Sequence, residues 1–64
     1  MATDMTTKAL NLKSVEAMTG LKRSWIYQLE ARGEFPKRRR FGARAVRWLE
    51  SEVAEYINSR PKAE

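Results

Sequence analysis

Gly20-Leu21-Lys22-Arg23-Ser24-Trp25-Ile26-Tyr27-Gln28-Leu29-Glu30-Ala31-Arg32-Gly33 is a stretch with helical periodicity held between two glycines. Leu21, Trp25, Ile26 and Leu29 recur at i, i+4, i+5 and i+8, the stripe that an amphipathic helix lays against a core. The spacing predicts a helix from Lys22 to Arg32 that stops at Gly33. Trp25 borders the stripe, so its ring is expected to be buried at a helix interface.

Toward the N-terminus, Ser14 is the expected cap of a short first helix, its hydroxyl accepting from an unpaired amide one turn in. Glu16 falls in the first turn, where the helix dipole favours negative charge, and Val15 and Met18 are three apart on one face. Gly20 ends this helix by taking the left-handed conformation that other residues resist. Two helices joined by a tight glycine-containing turn form a helix-turn-helix, with Val15, Leu21, Ile26 and Leu29 where they touch. Residues 1–10 are polar and without period, and read as a flexible tail ending where Leu12 begins to pack.

Toward the C-terminus, Phe35-Pro36 forces an extended path, because the residue before a proline avoids the helical region. Arg38-Arg39-Arg40-Phe41 and Ala45-Val46-Arg47-Trp48 are then two short extended runs around Gly42-Ala43-Arg44, with glycine providing the turn. Period two puts Val46 and Trp48 on one face and Arg47 on the other, and separates Arg38 and Arg40 from Arg39. Trp48 is expected in the core. A last helix runs from Leu49 to Ser59 on the stripe Leu49, Val53, Tyr56 and Ile57, with Glu50 and Glu52 in its first turn. Pro61 prevents its continuation. The expected fold is mainly α with a small β-hairpin: a winged helix-turn-helix over residues 11–60, with tails at 1–10 and 61–64.

Sixty-four residues make one small domain, of a size whose net stability is often only ~3–5 kcal/mol. Such a domain presents a surface more readily than it encloses a substrate. The sequence contains no cysteine and no histidine, which removes disulfides, thiolate metal sites, the commonest general base and the commonest zinc nitrogen ligand. The chain is read as a non-enzyme without metal or cofactor. No apolar run approaches the ~20 residues that span a bilayer, and Met1 to Thr7 lacks the apolar core of a signal peptide. Cytoplasmic residence is the expectation.

Charge is strongly polarised. Residues 21–47 hold nine Lys/Arg against Glu30 and Glu34, a net of +7, whereas the rest of the chain nets −2 within a total of +5. Uniform scatter would suit a solubility device; a cluster suits a polyanion. The second helix can lie in a major groove wide enough to admit it. With Ile26 and Leu29 inward, Lys22, Arg23, Ser24, Tyr27 and Gln28 make the outward face. Gln28 suits a bidentate pair with adenine, Arg23 suits guanine or a phosphate, Ser24 and Tyr27 suit phosphates, and the alternative to burial for Trp25 is a ring lying against the DNA backbone. Lys37, Arg38, Arg39, Arg40, Arg44 and Arg47 turn the hairpin into a cationic finger for backbone or narrow minor groove. Double-stranded DNA is the expected partner.

The string from Gly20 to Leu29, with Gly33-Glu34-Phe35-Pro36-Lys37 and the run from Gly42 to Val53, resembles the AlpA-type prophage regulators. These are excisionase-like winged helix-turn-helix proteins related in fold to the DNA-binding domain of the MerR regulators. The resemblance covers Leu12 to Arg60. It implies a sequence-specific transcriptional regulator of a prophage or integrated element, its recognition helix at Lys22 to Arg32 and its wing at Lys37 to Trp48. It also implies an alternative, an excisionase that bends DNA for an integrase, and it admits an integrase or further copies of the chain on DNA as partners. Three positions depart from the family pattern. Lys22 stands at a usual serine-like cap, Trp25 at a usual threonine, and Arg38-Arg39 at proline and an aliphatic residue. The last change makes the wing more cationic and predicts strong non-specific binding.

Two other classes compete. The acidic last helix, with Glu50, Glu52 and Glu55, suits a protein-interaction module that inhibits a basic partner, against the simpler reading of a solvated face. RNA binding is disfavoured, because single-strand readers display spaced aromatics on a sheet and this hairpin has only Phe41. Membrane-surface binding is disfavoured because the cations sit on a hairpin rather than along an amphipathic helix. A chain this short has no separate dimerisation domain, so a monomer that assembles on DNA is expected.

Overall fold

Asn11, in extended conformation, accepts the Ser14 amide on its side-chain oxygen at 2.9 Å and so starts the first helix, α1 (Leu12–Thr19). The cap therefore lies three residues before Ser14, the position expected from the sequence. Asparagine caps as well as serine does, and the earlier start brings Leu12 against the core. These coordinates belong to a computed structural model that describes residues 8–63. The expected flexibility of Met1–Thr7 and the terminal Glu64 lie outside the described residues.

Gly20 closes α1 at φ 77°. Thr19 fixes the turn that follows: its hydroxyl donates to the Val15 carbonyl at 2.8 Å and accepts the Leu21 amide at 3.1 Å. The second helix, α2 (Arg23–Ala31), begins after Lys22, whose side chain makes no capping hydrogen bond. It ends at Gly33, φ 78°. The Gly33 amide donates to the Glu30 carbonyl and the Glu34 amide to Leu29, the paired bonds of a Schellman ending.

The hairpin pairs β2 (Arg39–Arg40) antiparallel with β3 (Val46–Leu49), with Arg39 opposite Arg47 and Arg40 opposite Val46. The Phe41 amide closes it on the Ala45 carbonyl at 2.7 Å. Gly42 lies in the turn between the strands but without positive φ, which among the described residues only Gly20 and Gly33 have. The connection is long enough to turn without a left-handed residue.

A third strand was not legible in the sequence. Ala9 and Leu10 form β1 (Ala9–Leu10), antiparallel to the other edge of β3, with Ala9 opposite Leu49 and Leu10 opposite Trp48. The Glu50 amide extends the ladder to the Lys8 carbonyl at 2.7 Å. The tail reading is thus corrected at Ala9 and Leu10. Two residues are too few to display an alternation, and their partner lies some forty positions away. The sheet order is β1-β3-β2. The last helix, α3 (Glu50–Asn58), follows β3 directly, with Glu50 and Glu52 in its first turn.

Val15, Ile26, Leu29, Phe35, Trp48 and Val53 form the core, with Leu10, Leu12, Leu21 and Tyr56 packed against it. Trp48 is fully buried, and its Nε1–H donates to the Pro36 carbonyl at 3.1 Å. Burying such a ring removes ~150–250 Å² from water, on the order of 4–6 kcal/mol before entropy is counted. Phe35 meets Tyr56 edge-on, centroids 4.7 Å apart. Ile57 and Met18 sit at the margins of their stripes, partly exposed.

Trp25 is not buried as expected; it is 42% exposed. The inner side of α2 is filled by Ile26, Leu29 and Glu30, and Trp25 lies about 100° round the helix from Ile26. Its ring is covered instead by the Arg32 guanidinium, 5.1 Å from its centroid.

Candidate nucleic-acid interface

The stripe that faces Ile26, Leu29 and Glu30 inward leaves Lys22, Arg23, Ser24, Tyr27 and Gln28 exposed. Ser24 and Gln28 are one turn apart and stack along the helix, as do Arg23 and Tyr27 on the flank nearer the wing. Because Lys22 contributes no side-chain bond, the first amides of α2 have no side-chain partner and are oriented toward any acceptor beyond the helix start.

Glu30 couples this helix to the wing. It is 8% exposed, the only buried charged residue among those described. Its Oε2 accepts the Arg38 backbone amide at 2.8 Å and its Oε1 accepts Arg38 Nη1 at 2.5 Å. One carboxylate therefore holds both main chain and side chain of the residue that opens the wing. The same guanidinium lies 5.0 Å from the centroid of the Tyr27 ring, and Tyr27 in turn tilts against Trp48 at 6.4 Å. The outward face of α2 and the root of the hairpin are thereby one packed unit. The importance of Glu30 was missed from sequence, although a charge four residues after Ile26, on the apolar stripe, was a readable signal.

The wing cations divide into two sets. Arg38 is committed to Glu30, and Arg39 Nη2 meets Glu52 Oε2 of α3 at 2.6 Å. Glu52, read from sequence as a helix-dipole residue and as part of an acidic helix face, ties the wing to the last helix. Lys22, Arg23, Lys37, Arg40, Arg44 and Arg47 form no ion pair among the described residues. Arg47 Nη1 donates to the Val46 carbonyl at 2.8 Å, and Arg40 Nη1 reaches the Ala43 carbonyl at 3.5 Å. The cations that remain available line the start of α2, the loop at Lys37 and the outer half of the hairpin. No helix among the described residues is long and apolar enough to cross a membrane.

A glycine-hinged helix pair, a hairpin pinned to the second helix and a closing third helix define a small winged helix-turn-helix protein. The chain belongs to the AlpA family: the model of that family, described as prophage CP4-57 regulatory protein (AlpA), matches residues 8–61. It is similar to the DNA-binding transcriptional activator AlpA of Escherichia coli strain K12, 34% identical over a 61-position alignment that covers 86% of this chain and 87% of that protein. It is also 41% identical over 51 residues to an uncharacterised protein, ORF88, of Enterobacteria phage P4. That match takes in 80% of this chain but 58% of the phage protein's length.

Proposed function

We propose that this chain is a sequence-specific, duplex-DNA-binding transcriptional regulator of a prophage or other integrated element. The observation that carries the reading is the join between α2 and the wing. Glu30 and Arg38 fix a polar helix face and a cationic hairpin to each other, so that both engage one rigid target. Duplex DNA is such a target, with a major groove that admits a helix and a minor groove that attracts arginine. In this reading Gln28 and Arg23 reach base edges, while Ser24, Tyr27 and Lys22 position the helix on phosphates. Lys37, Arg40, Arg44 and Arg47 supply the sequence-independent attraction. Arg38 and Arg39 act mainly by setting the angle of the wing. Membership of a prophage regulatory family and the activator named among its relatives support the same conclusion.

Footprinting of the purified protein across its own genomic neighbourhood, with excess competitor DNA, tests it. Discrete protection at a promoter is the expected result. Protection clustered at an integration junction would replace the regulator with an excisionase acting beside an integrase. Failure to protect any duplex would favour instead a protein partner for the acidic face of α3.

A further inference from the structure

Among the described residues, Phe41 is the most exposed of the large apolar side chains, at 56%. Its place in the hairpin gives that exposure a direction. The register sets Arg39 opposite Arg47, and residues two apart on a strand share a face, so Phe41 lies on the face that carries Arg39 and Arg47. Like charges directly across a ladder destabilise the pairing. Arg39 is relieved by Glu52, whereas Arg47 has only the carbonyl of Val46. Beside Phe41 in sequence, Arg40 and Arg44 are exposed and form no ion pair among the described residues. An apolar ring is thus exposed at the end of a hairpin, next in sequence to cations that a polyanion would neutralise. Nothing in the core uses it: the six core residues are complete without it.

We infer that Phe41 is an apolar wedge that enters the minor groove of duplex DNA and partly opens a base step, bending the duplex. The inference rests on the DNA-binding reading above and adds to it a residue whose role is to deform DNA. Arginine suits the negative potential of a narrow minor groove, and an inserted apolar side chain kinks the duplex toward the major groove. Arg40 and Arg44 bring the tip to the groove and hold it on flanking phosphates. The benzyl side chain then gains burial that the free protein does not give it. Charge complementarity selects DNA over a second copy of the chain, whose own wing carries the same cations.

The test uses ring closure of a linear duplex taken from the protein's own genomic neighbourhood, carrying the footprinted site and shorter than the ~150 bp persistence length, which circularises poorly unless bent. Wild-type protein, Phe41→Leu and Phe41→Ala are compared with DNA ligase at matched occupancy, set by fluorescence anisotropy on the same fragment. The substitutions are at an exposed side chain, and circular dichroism checks that each variant is folded. Wild type and Phe41→Leu are expected to raise the yield of monomer circles, and Phe41→Ala to return it to that of free DNA while still binding. Equal circle yields for wild type and Phe41→Ala overturn the wedge, as does binding by wild type without any gain in circles. Loss of affinity in Phe41→Ala with bending unchanged also overturns it, leaving the ring as a surface contact. Absence of binding by folded wild type overturns the DNA-binding reading itself, which separates the two failures.

Discussion

Glu30 and Arg38 show how one pair of side chains fixes the wing to α2. A carboxylate on the inner side of α2 accepts two hydrogen bonds from Arg38, one of them from main chain. Hydrogen bonds to charged groups contribute about 1.5–3 kcal/mol, a large share of the ~3–5 kcal/mol available to a domain of this size. Glu30→Ala is therefore expected to destabilise by about 2 kcal/mol, read as a lowered thermal midpoint. It is also expected to weaken DNA binding where the variant is still folded, although it makes the protein more positive. Tighter binding would mean that charge alone, not wing orientation, governs the interface. At this scale the sequence disclosed residue types better than partnerships. The outward positions Arg23, Ser24, Tyr27 and Gln28 followed from helical phase alone. The pairs Glu30–Arg38 and Arg39–Glu52 did not, because they join residues that only the folded chain brings together.

The elements were largely legible, since each carries its own punctuation. Gly20 and Gly33 mark the ends of α1 and α2 by positive φ, and Pro36 separates α2 from the wing. Trp25 borders the apolar stripe of α2 without joining the inner face, because Glu30 rather than an apolar residue completes that face on the other side. Strand β1 was invisible because a two-residue edge strand is defined by its partner and not by its own pattern. The glycines give a direct check on the turns. Alanine at Gly20 must adopt a left-handed conformation that costs roughly 1–2 kcal/mol, which lowers the midpoint of a domain this small by about 4–8 °C per kcal/mol. At Gly42 the backbone is not left-handed, and an added Cβ would meet only Ala45 Cβ at 3.7 Å. Gly42→Ala is thus expected to leave the midpoint unchanged or raise it slightly, by reducing the freedom of the unfolded chain. Equal losses at both positions, in matched thermal melts, would contradict this account of the turns.

The molecule as a whole separates its charge into a basic interface and an acidic third helix, and its cations into structural and available sets. Lys22, Arg23, Lys37, Arg40, Arg44 and Arg47 are the available ones. If all of them but Arg23, which reads a base edge, reach phosphates, log K against log salt concentration should fall with a slope of about −4.5, at ~0.9 per neutralised phosphate. A slope between −2 and −3, near two or three phosphates, would mean that the hairpin does not lie along the backbone. The central claim is that α2 occupies the major groove while the wing occupies the adjoining minor groove, and dimethyl sulfate protection examines both at once. The reagent methylates guanine N7, which faces the major groove, and adenine N3, which faces the minor groove. On a footprinted duplex the account expects protected guanine N7 positions flanked, about half a helical turn away, by protected adenine N3 positions. The N7 signal should be lost in Arg23→Ala, and the N3 signal in Arg44→Ala. Saturating binding that leaves guanine N7 fully reactive along the whole site would contradict it.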